Sequence, residues 1–220
     1  MVNCEWSPNL AYAVGLLATD GNLSKDKRHI LFTTTEKQLA CLFKTCLSIK
    51  NKTSITPASG FGTRRAYRIN FGDVKFYRRL EEIGITPNKS LSIKALSIPK
   101  KYFTDFLRGH LDGDGSVFTY IDRYRIYKGK RYAYNRLYTS FISSSYPHIK
   151  WLQSQVKNNL NIEGALNFYR KKHRKNIVWQ LRFAKNDSLK LLSWLYYKPS
   201  LPCLARKRKI AERFLKTNVD

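Results

Sequence analysis

The 220 residues carry 41 Lys and Arg against 15 Asp and Glu, a net charge of +26, with 43% hydrophobic residues that include 12 Phe, 14 Tyr and 4 Trp. That apolar content fills a real core in one domain or two small ones, and the charge excess requires a polyanionic partner, nucleic acid ahead of an anionic membrane surface. No apolar run approaches the roughly 18 residues of a membrane span, Met1 to Trp6 is not a signal peptide, and the four cysteines lack metal-binding pair spacing.

A soluble, intracellular chain in a reducing compartment is expected, with cytoplasm, nucleoid and organelle matrix not distinguished. Ser7-Pro8 opens a helix, cap then first turn, that runs through Leu10-Ala11-Tyr12-Ala13-Val14-Gly15-Leu16-Leu17-Ala18-Thr19 to Asp20 and gives way at Gly21-Asn22-Leu23 to a strand. Arg28 to Thr35 reads as a strand. Thr35 or Glu36 starts a helix with Leu39, Leu42, Phe43, Cys46 and Ile49 at three- and four-residue steps, so Cys41 and Cys46 are expected as small buried thiols. A hairpin follows: Thr53 to Ala58, a turn at Gly60-Phe61-Gly62, and Arg65 to Phe71, where Tyr67, Ile69 and Phe71 alternate with Arg68 and Asn70. Asp73 caps a helix to Ile83 that Gly84 stops, and Thr86 to Pro99 is the most linker-like passage, placing a boundary near residue 98.

The order then repeats. Phe103, Phe106, Leu107 and Leu111 keep helical spacing up to Asp114, and Gly115 with Val117 marks a stop and a strand. Strands Ser116 to Tyr127 and Tyr132 to Ser144 flank a turn at Lys128-Gly129-Lys130. A helix with Ile149, Leu152, Val156 and Leu160 precedes a second hairpin, Ala165 to Lys171 and Asn176 to Ala184, in which Trp179, Leu181 and Phe183 alternate with Gln180 and Arg182. Helices at Asp187 to Tyr196 and Ala205 to Leu215 finish the chain.

Both acids close an apolar helix at its carbonyl end, where a negative charge is unfavourable by roughly 0.3–1 kcal/mol, so a positive group should compensate. The stretches Ala13-Val14-Gly15-Leu16-Leu17-Ala18-Thr19-Asp20-Gly21 and Leu107-Arg108-Gly109-His110-Leu111-Asp112-Gly113-Asp114-Gly115 resemble the LAGLIDADG motif of homing endonucleases. Each keeps the third-position Gly and the closing Asp-Gly, while Ala18 stands where the motif has its first acid. The resemblance covers essentially the full length. It implies an α+β fold of two pseudo-symmetric αββαββα repeats, 1–98 and 99–220, with the motif helices packed at their interface and antiparallel sheets forming a DNA-binding saddle. It implies a monomer that breaks both strands of a long specific duplex target by divalent-metal-dependent phosphodiester hydrolysis.

Packing of Ala13, Gly15 and Ala18 against Gly109 and Gly113 brings Asp20 and Asp114 to one end of the helix pair. Two carboxylates and two helix C-termini repel unless a hard cation sits among them, Mg²⁺ above all, with Mn²⁺ as substitute and Ca²⁺ supporting binding without cleavage. Asp20 and Asp114 are thus the expected metal ligands, and no backbone ligand is assigned at Thr19. The resemblance extends to basic residues near the scissile phosphates, for which Lys89 and Lys207 are the candidates, and Thr33 and Ser143 are placed at strand ends to order waters.

Asp112, two residues from Asp114, is expected off the shared helix face as a structural or peripheral group, and His110 as a packing or solvent-facing residue. On the sheets Arg68, Asn70, Gln180 and Arg182 match side chains that read base edges, and a long hairpin with Arg123, Arg125, Lys128, Lys130 and Arg136 among tyrosines extends that surface. Two other activities suit the same pattern: an RNA maturase assisting intron splicing, and a noncatalytic DNA-binding regulator.

Overall fold

The computed structural model describes residues 1–57, 65–127, 129–170 and 176–216. Ser7 holds the chain extended and its hydroxyl accepts from Leu10 N at 3.1 Å, so α1 (Pro8–Asp20) starts at its cap and proline. Leu10 to Ala18 are buried on every side, the mark of a central helix. Its counterpart α4 (Phe103–Asp114) follows a short turn at Lys100–Tyr102 and is buried from Phe103 to Asp112 apart from Thr104.

The two helices lie backbone against backbone. A methyl on Gly15 would stand 2.8 Å from the His110 nitrogen, one on Gly109 3.0 Å from the Tyr12 carbonyl carbon, and one on Gly113 3.0 Å from Asp20 Oδ2. Only glycine allows that approach, so the small-residue stripe performs the packing its spacing suggested.

Each helix feeds a four-stranded antiparallel sheet. After α1 come β1 (Gly21–Leu23), β2 (His29–Thr34), α2 (Lys37–Leu47), β3 (Thr53–Pro57), β4 (Arg65–Gly72) and α3 (Val74–Ile83), with sheet order β1-β2-β4-β3. After α4 come β5 (Ser116–Tyr127), β6 (Lys130–Ser143), α5 (Tyr146–Leu160), β7 (Ala165–Arg170), β8 (Ile177–Phe183) and α6 (Lys185–Leu195), in order β5-β6-β8-β7, and α7 (Ala205–Lys216) closes the chain. The architecture is α+β, two repeats of one pattern. Strand alternation sends Ile30, Phe32, Ile69 and Phe71 inward beneath α2 and α3, where the Phe32 and Phe43 rings stack at 4.4 Å. Phe141, Leu181 and Phe183 do the same in the second sheet.

Asp73 Oδ1 accepts from Phe76 N at 3.0 Å and Gly84 adopts φ 108°, fixing both ends of α3 as expected. Three readings are corrected. Cys41 is exposed and Cys46 half-buried, because Leu39, Ala40, Phe43 and Leu47 occupy the inward stripe of α2. The linker-like passage is packed, with Ile93 and Leu96 buried. Asp187 opens no helix, since α6 begins two residues earlier, at Lys185. The turn at Gly60-Phe61-Gly62, together with Ala58, Lys128 and Lys171, lies outside the described residues. Among the described residues no helix is long and apolar enough to cross a membrane.

Candidate active site and nucleic-acid interface

Asp20 and Asp114 are the last residues of α1 and α4, and the contact of Gly113 with the Asp20 carboxyl brings these ends together. Asp20 is half-buried and Asp114 exposed. Burial first, and the Asp114 charge second, push the Asp20 carboxyl up to about 7, against the opposing pull of Lys89, the Thr19 hydroxyl and Lys207. A second acid beside a desolvated one raises its pKa because the charged pair is unfavourable.

The compensating positive groups are two buried lysines. Lys89 Nζ donates to Thr19 O at 3.5 Å and to Gly21 O. Lys207 Nζ donates to Leu111 O at 2.5 Å, Asp112 O at 3.0 Å and Gly115 O at 2.7 Å. Each ammonium therefore caps the carbonyl end of one motif helix and meets the carbonyl of the glycine after its acid, so the two are structural equivalents. Burial lowers both to about 8, while the nearby acids pull the other way.

Asp112 is structural, as expected, but it lies on the shared helix face rather than off it. Its Oδ2 accepts from Tyr12 OH at 2.8 Å and from Leu204 N at 2.7 Å; the long Tyr12 side chain reaches across from α1 to meet it. Burial raises the Asp112 carboxyl, and Lys207 is the largest opposing influence. His110 is a packing residue: its Nε2 lies 3.1 Å from His148 Nε2, and His148 Nδ1 lies 2.8 Å from Lys94 O. Both rings, with Asp114, Lys89 and Ser143, line a cavity of about 300 Å³ beside the acids.

Thr33 and Ser143 are not equivalents. Ser143 Oγ accepts from Ser145 N at 3.1 Å, and the matching bond in the first repeat is made by Thr34, whose Oγ1 accepts from Glu36 N at 3.1 Å. Thr33 sits on the outer sheet face opposite Arg68.

That outer face carries Arg68 and Asn70, which with Asn22, His29, Leu31 and Ser54 line a hollow of about 510 Å³. Asn22 and His29 escaped the sequence reading, although both follow the period-two alternation of β1 and β2. On the second sheet Ser140 pairs with Arg182 and Ile142 with Gln180, and the Arg182 guanidinium lies 5.1 Å from the Tyr138 ring centroid. Arg136 pairs with Asp122 at 2.8 Å. Arg123 and Lys130 are exposed on the long hairpin; Lys128 and the side chain of Arg125 lie outside the described residues.

Helices touching through glycines, with an acid at the end of each and a sheet on either side, define the two-repeat LAGLIDADG architecture. No family model and no curated relative matches the sequence. Among solved structures the chain is similar to the I-LtrWI LAGLIDADG homing endonuclease bound to target DNA (13% identity, TM-score 0.57, 96% of this chain and 91% of that one). It is similar to I-DmoI in complex with DNA and Ca (17% identity, TM-score 0.55, 93% and 97%). It is also similar to full-length DUF199/WhiA from Thermatoga maritima (14% identity, TM-score 0.57, 98% of this chain), of whose length it spans 63%. At these identities the likeness is one of fold.

Proposed function

We propose that the chain is a site-specific, divalent-metal-dependent DNA endonuclease that breaks both strands of a long target as a monomer, with repeats dividing near residue 98. The observation that carries this reading is the meeting of half-buried Asp20 and exposed Asp114, each at the end of a motif helix, with Lys89 and Lys207 behind them.

The residues fit a hard divalent ion. Among the described residues no cluster of three or more His, Cys, Asp or Glu side chains gathers, so the protein offers two carboxylates. Mg²⁺ keeps several waters and takes one or two carboxylates plus substrate phosphates, and two oxygen-donor carboxylates at neighbouring helix ends match that demand. Such an ion, held by Asp20 and Asp114, supplies a polarised water and charge neutralisation at a phosphodiester.

The rest of the work belongs to the chain's own groups. Lys89 and Lys207 hold the two helix ends in register, so that the carboxylates keep one separation, and their ammoniums add positive charge behind a phosphate. Arg68 and Asn70 offer forks that match guanine and adenine edges, and the remaining cations contact phosphates, fixing the duplex over the acids. Two acids related by the repeat serve one strand each.

The test is enrichment of duplexes from a randomised library in Ca²⁺, followed by cleavage in Mg²⁺. Wild type should cut both strands, and Asp20→Asn or Asp114→Asn should bind within about threefold of wild type and lose double-strand cutting. Binding without any cutting by wild type would move the chain to the class of noncatalytic regulators.

A further inference from the structure

The outer faces of the two sheets differ in chemistry. The first presents the hydrogen-bonding groups Asn22, Arg68 and Asn70, with His29 held by Asp26 at 2.5 Å, around one apolar residue, Leu31. The second presents rings along β5 and β6, with Gln180 and Arg182 beside them on β8. Phe118 lies opposite Tyr138, Tyr120 opposite Arg136 and Asp122 opposite Tyr134, so one face of the β5–β6 hairpin carries all of them. The Phe118 and Tyr120 rings lie 5.3 and 6.1 Å from that of Tyr138, at interplanar angles of 20° and 11°, and Tyr132 lies 6.3 Å from Tyr134.

The polar groups of this ladder are engaged with one another. Arg136 donates twice to Asp122 at 3.1 and 2.8 Å, and the Arg182 guanidinium is spread over Tyr138. Ring surface is exposed along the ladder: Phe118 is 37% exposed, Tyr120 48% and Tyr132 39%. Because the rings stack on one another, they offer edges rather than open faces, which disfavours intercalation of unpaired bases and suits contact with a methyl group.

We infer that the ring ladder on β5 and β6 reads thymine C5-methyl groups in its half of the duplex, a contact that the first sheet, which reads by hydrogen bonds, does not make. Building on the endonuclease reading above, this names the substrate chemistry of that same surface. The occupant is a T·A-rich half-site in duplex DNA: the net charge of +26 demands a polyanion, and the major groove of DNA presents to an apolar side chain one methyl per A·T pair. An RNA duplex has neither the methyl nor a groove wide enough to admit the hairpin.

The test alters the DNA and leaves the protein intact. Duplexes enriched in Ca²⁺ from a randomised library are remade with deoxyuridine for thymine in one half-site, then in the other. Substitution in the half bound by the second sheet should weaken binding about fourfold per contacted methyl, and in the other half by less than about twofold. The Phe118→Ser/Tyr120→Ser double variant, altered only at exposed positions, should lose the preference for thymine over deoxyuridine, and Asn70→Ala should keep it. Equal responses of the two halves, or a preference that survives the double variant, would overturn the inference while leaving the endonuclease reading intact. Failure to enrich any duplex would overturn both.

Discussion

Two histidines in one repeat stand where the other repeat has two leucines. Counting from the acids, His110 matches Leu16, and counting from the turns made by Ser143 and Thr34, His148 matches Leu39; all four side chains are buried. The hydrogen bond from His148 Nδ1 to Lys94 O leaves its Nε2 to accept from His110, so both rings are neutral. Burial first holds His148 down at about 4, opposed by the Lys94 carbonyl and reinforced by Lys89. Burial, His148 and then the Lys207 and Lys89 charges hold His110 well below its ordinary value. Asp114 is the acid facing the same cavity. Between pH 6.5 and about 4 the unfolded chain binds protons that the folded histidines refuse, so their contribution to stability is full above 6.5 and falls as pH drops, while the raised Asp20 carboxyl, which takes up its proton first in the folded chain, acts with the opposite sign below about 7. The slope should approach about 1.4 kcal/mol per pH unit for each histidine. Urea melts across this range should show it, and the His110→Leu/His148→Leu variant, which copies the other repeat, should flatten it. An acid limb left unchanged by the double replacement would refute its assignment to the two histidines. Sequence spacing made Asp20 and Asp114 visible because the motif occurs twice, whereas Lys89 and Lys207 were named from the family resemblance alone. His148 was invisible because a lone histidine on an amphipathic helix has no spacing to betray it. Asp112 was turned to the wrong side because rotation about one helix says nothing of how far Tyr12 reaches from the next.

At the scale of elements, the contact of α1 with α4 is the rigid part of the design. Gly15 and Gly109 face backbone atoms that cannot move without shifting a whole helix. Gly109→Ala should therefore cost near the upper end of overpacking penalties, about 3 kcal/mol. Gly72→Ala should cost much less, since its added methyl meets the flexible side chains of Arg28 and His29 at 3.0 and 3.3 Å. Denaturant midpoints of the two variants check this, and equal losses would mean that the helix pair relaxes apart. The order of elements in each repeat was legible because apolar period changes from three and four to two at each junction, and caps such as Ser7 and Asp73 mark starts. The segment after α3 was misread because Pro87, Asn88 and Ser90 speak for a linker, whereas Ile93 and Leu96 are buried by packing that no local pattern encodes.

Across the whole molecule, each repeat is buckled to the other by the segment that leaves its third helix. Ser145 Oγ donates to Ile93 O and His148 bonds to Lys94 O, tying the first connection to α5. Gln38 Nε2 donates to Cys203 O at 3.2 Å, and its Oε1 accepts from Ala205 N at 3.1 Å, tying the second to α2. The same two segments deliver Lys89 and Lys207 beneath the acids, so the geometry that joins the repeats also sets the site. On the endonuclease reading, sheets that turn much of the +26 charge toward one duplex should neutralise many phosphates at once. Each neutralised phosphate contributes about −0.9 to the slope of log affinity against log salt, and a protein with about 6–10 such contacts loses roughly 10³–10⁵ in affinity between 50 and 200 mM. Anisotropy titrations of an enriched duplex at fixed low Ca²⁺ should give a slope steeper than about −6. Arg68→Ala should leave that slope nearly unchanged while relaxing preference at one base pair by about 1–3 kcal/mol, because a base contact releases no condensed ion. A slope shallower than about −3 would mean that the charge is spread over faces the duplex never meets, and the two sheets would then have to be regarded as separate binding surfaces rather than as one saddle.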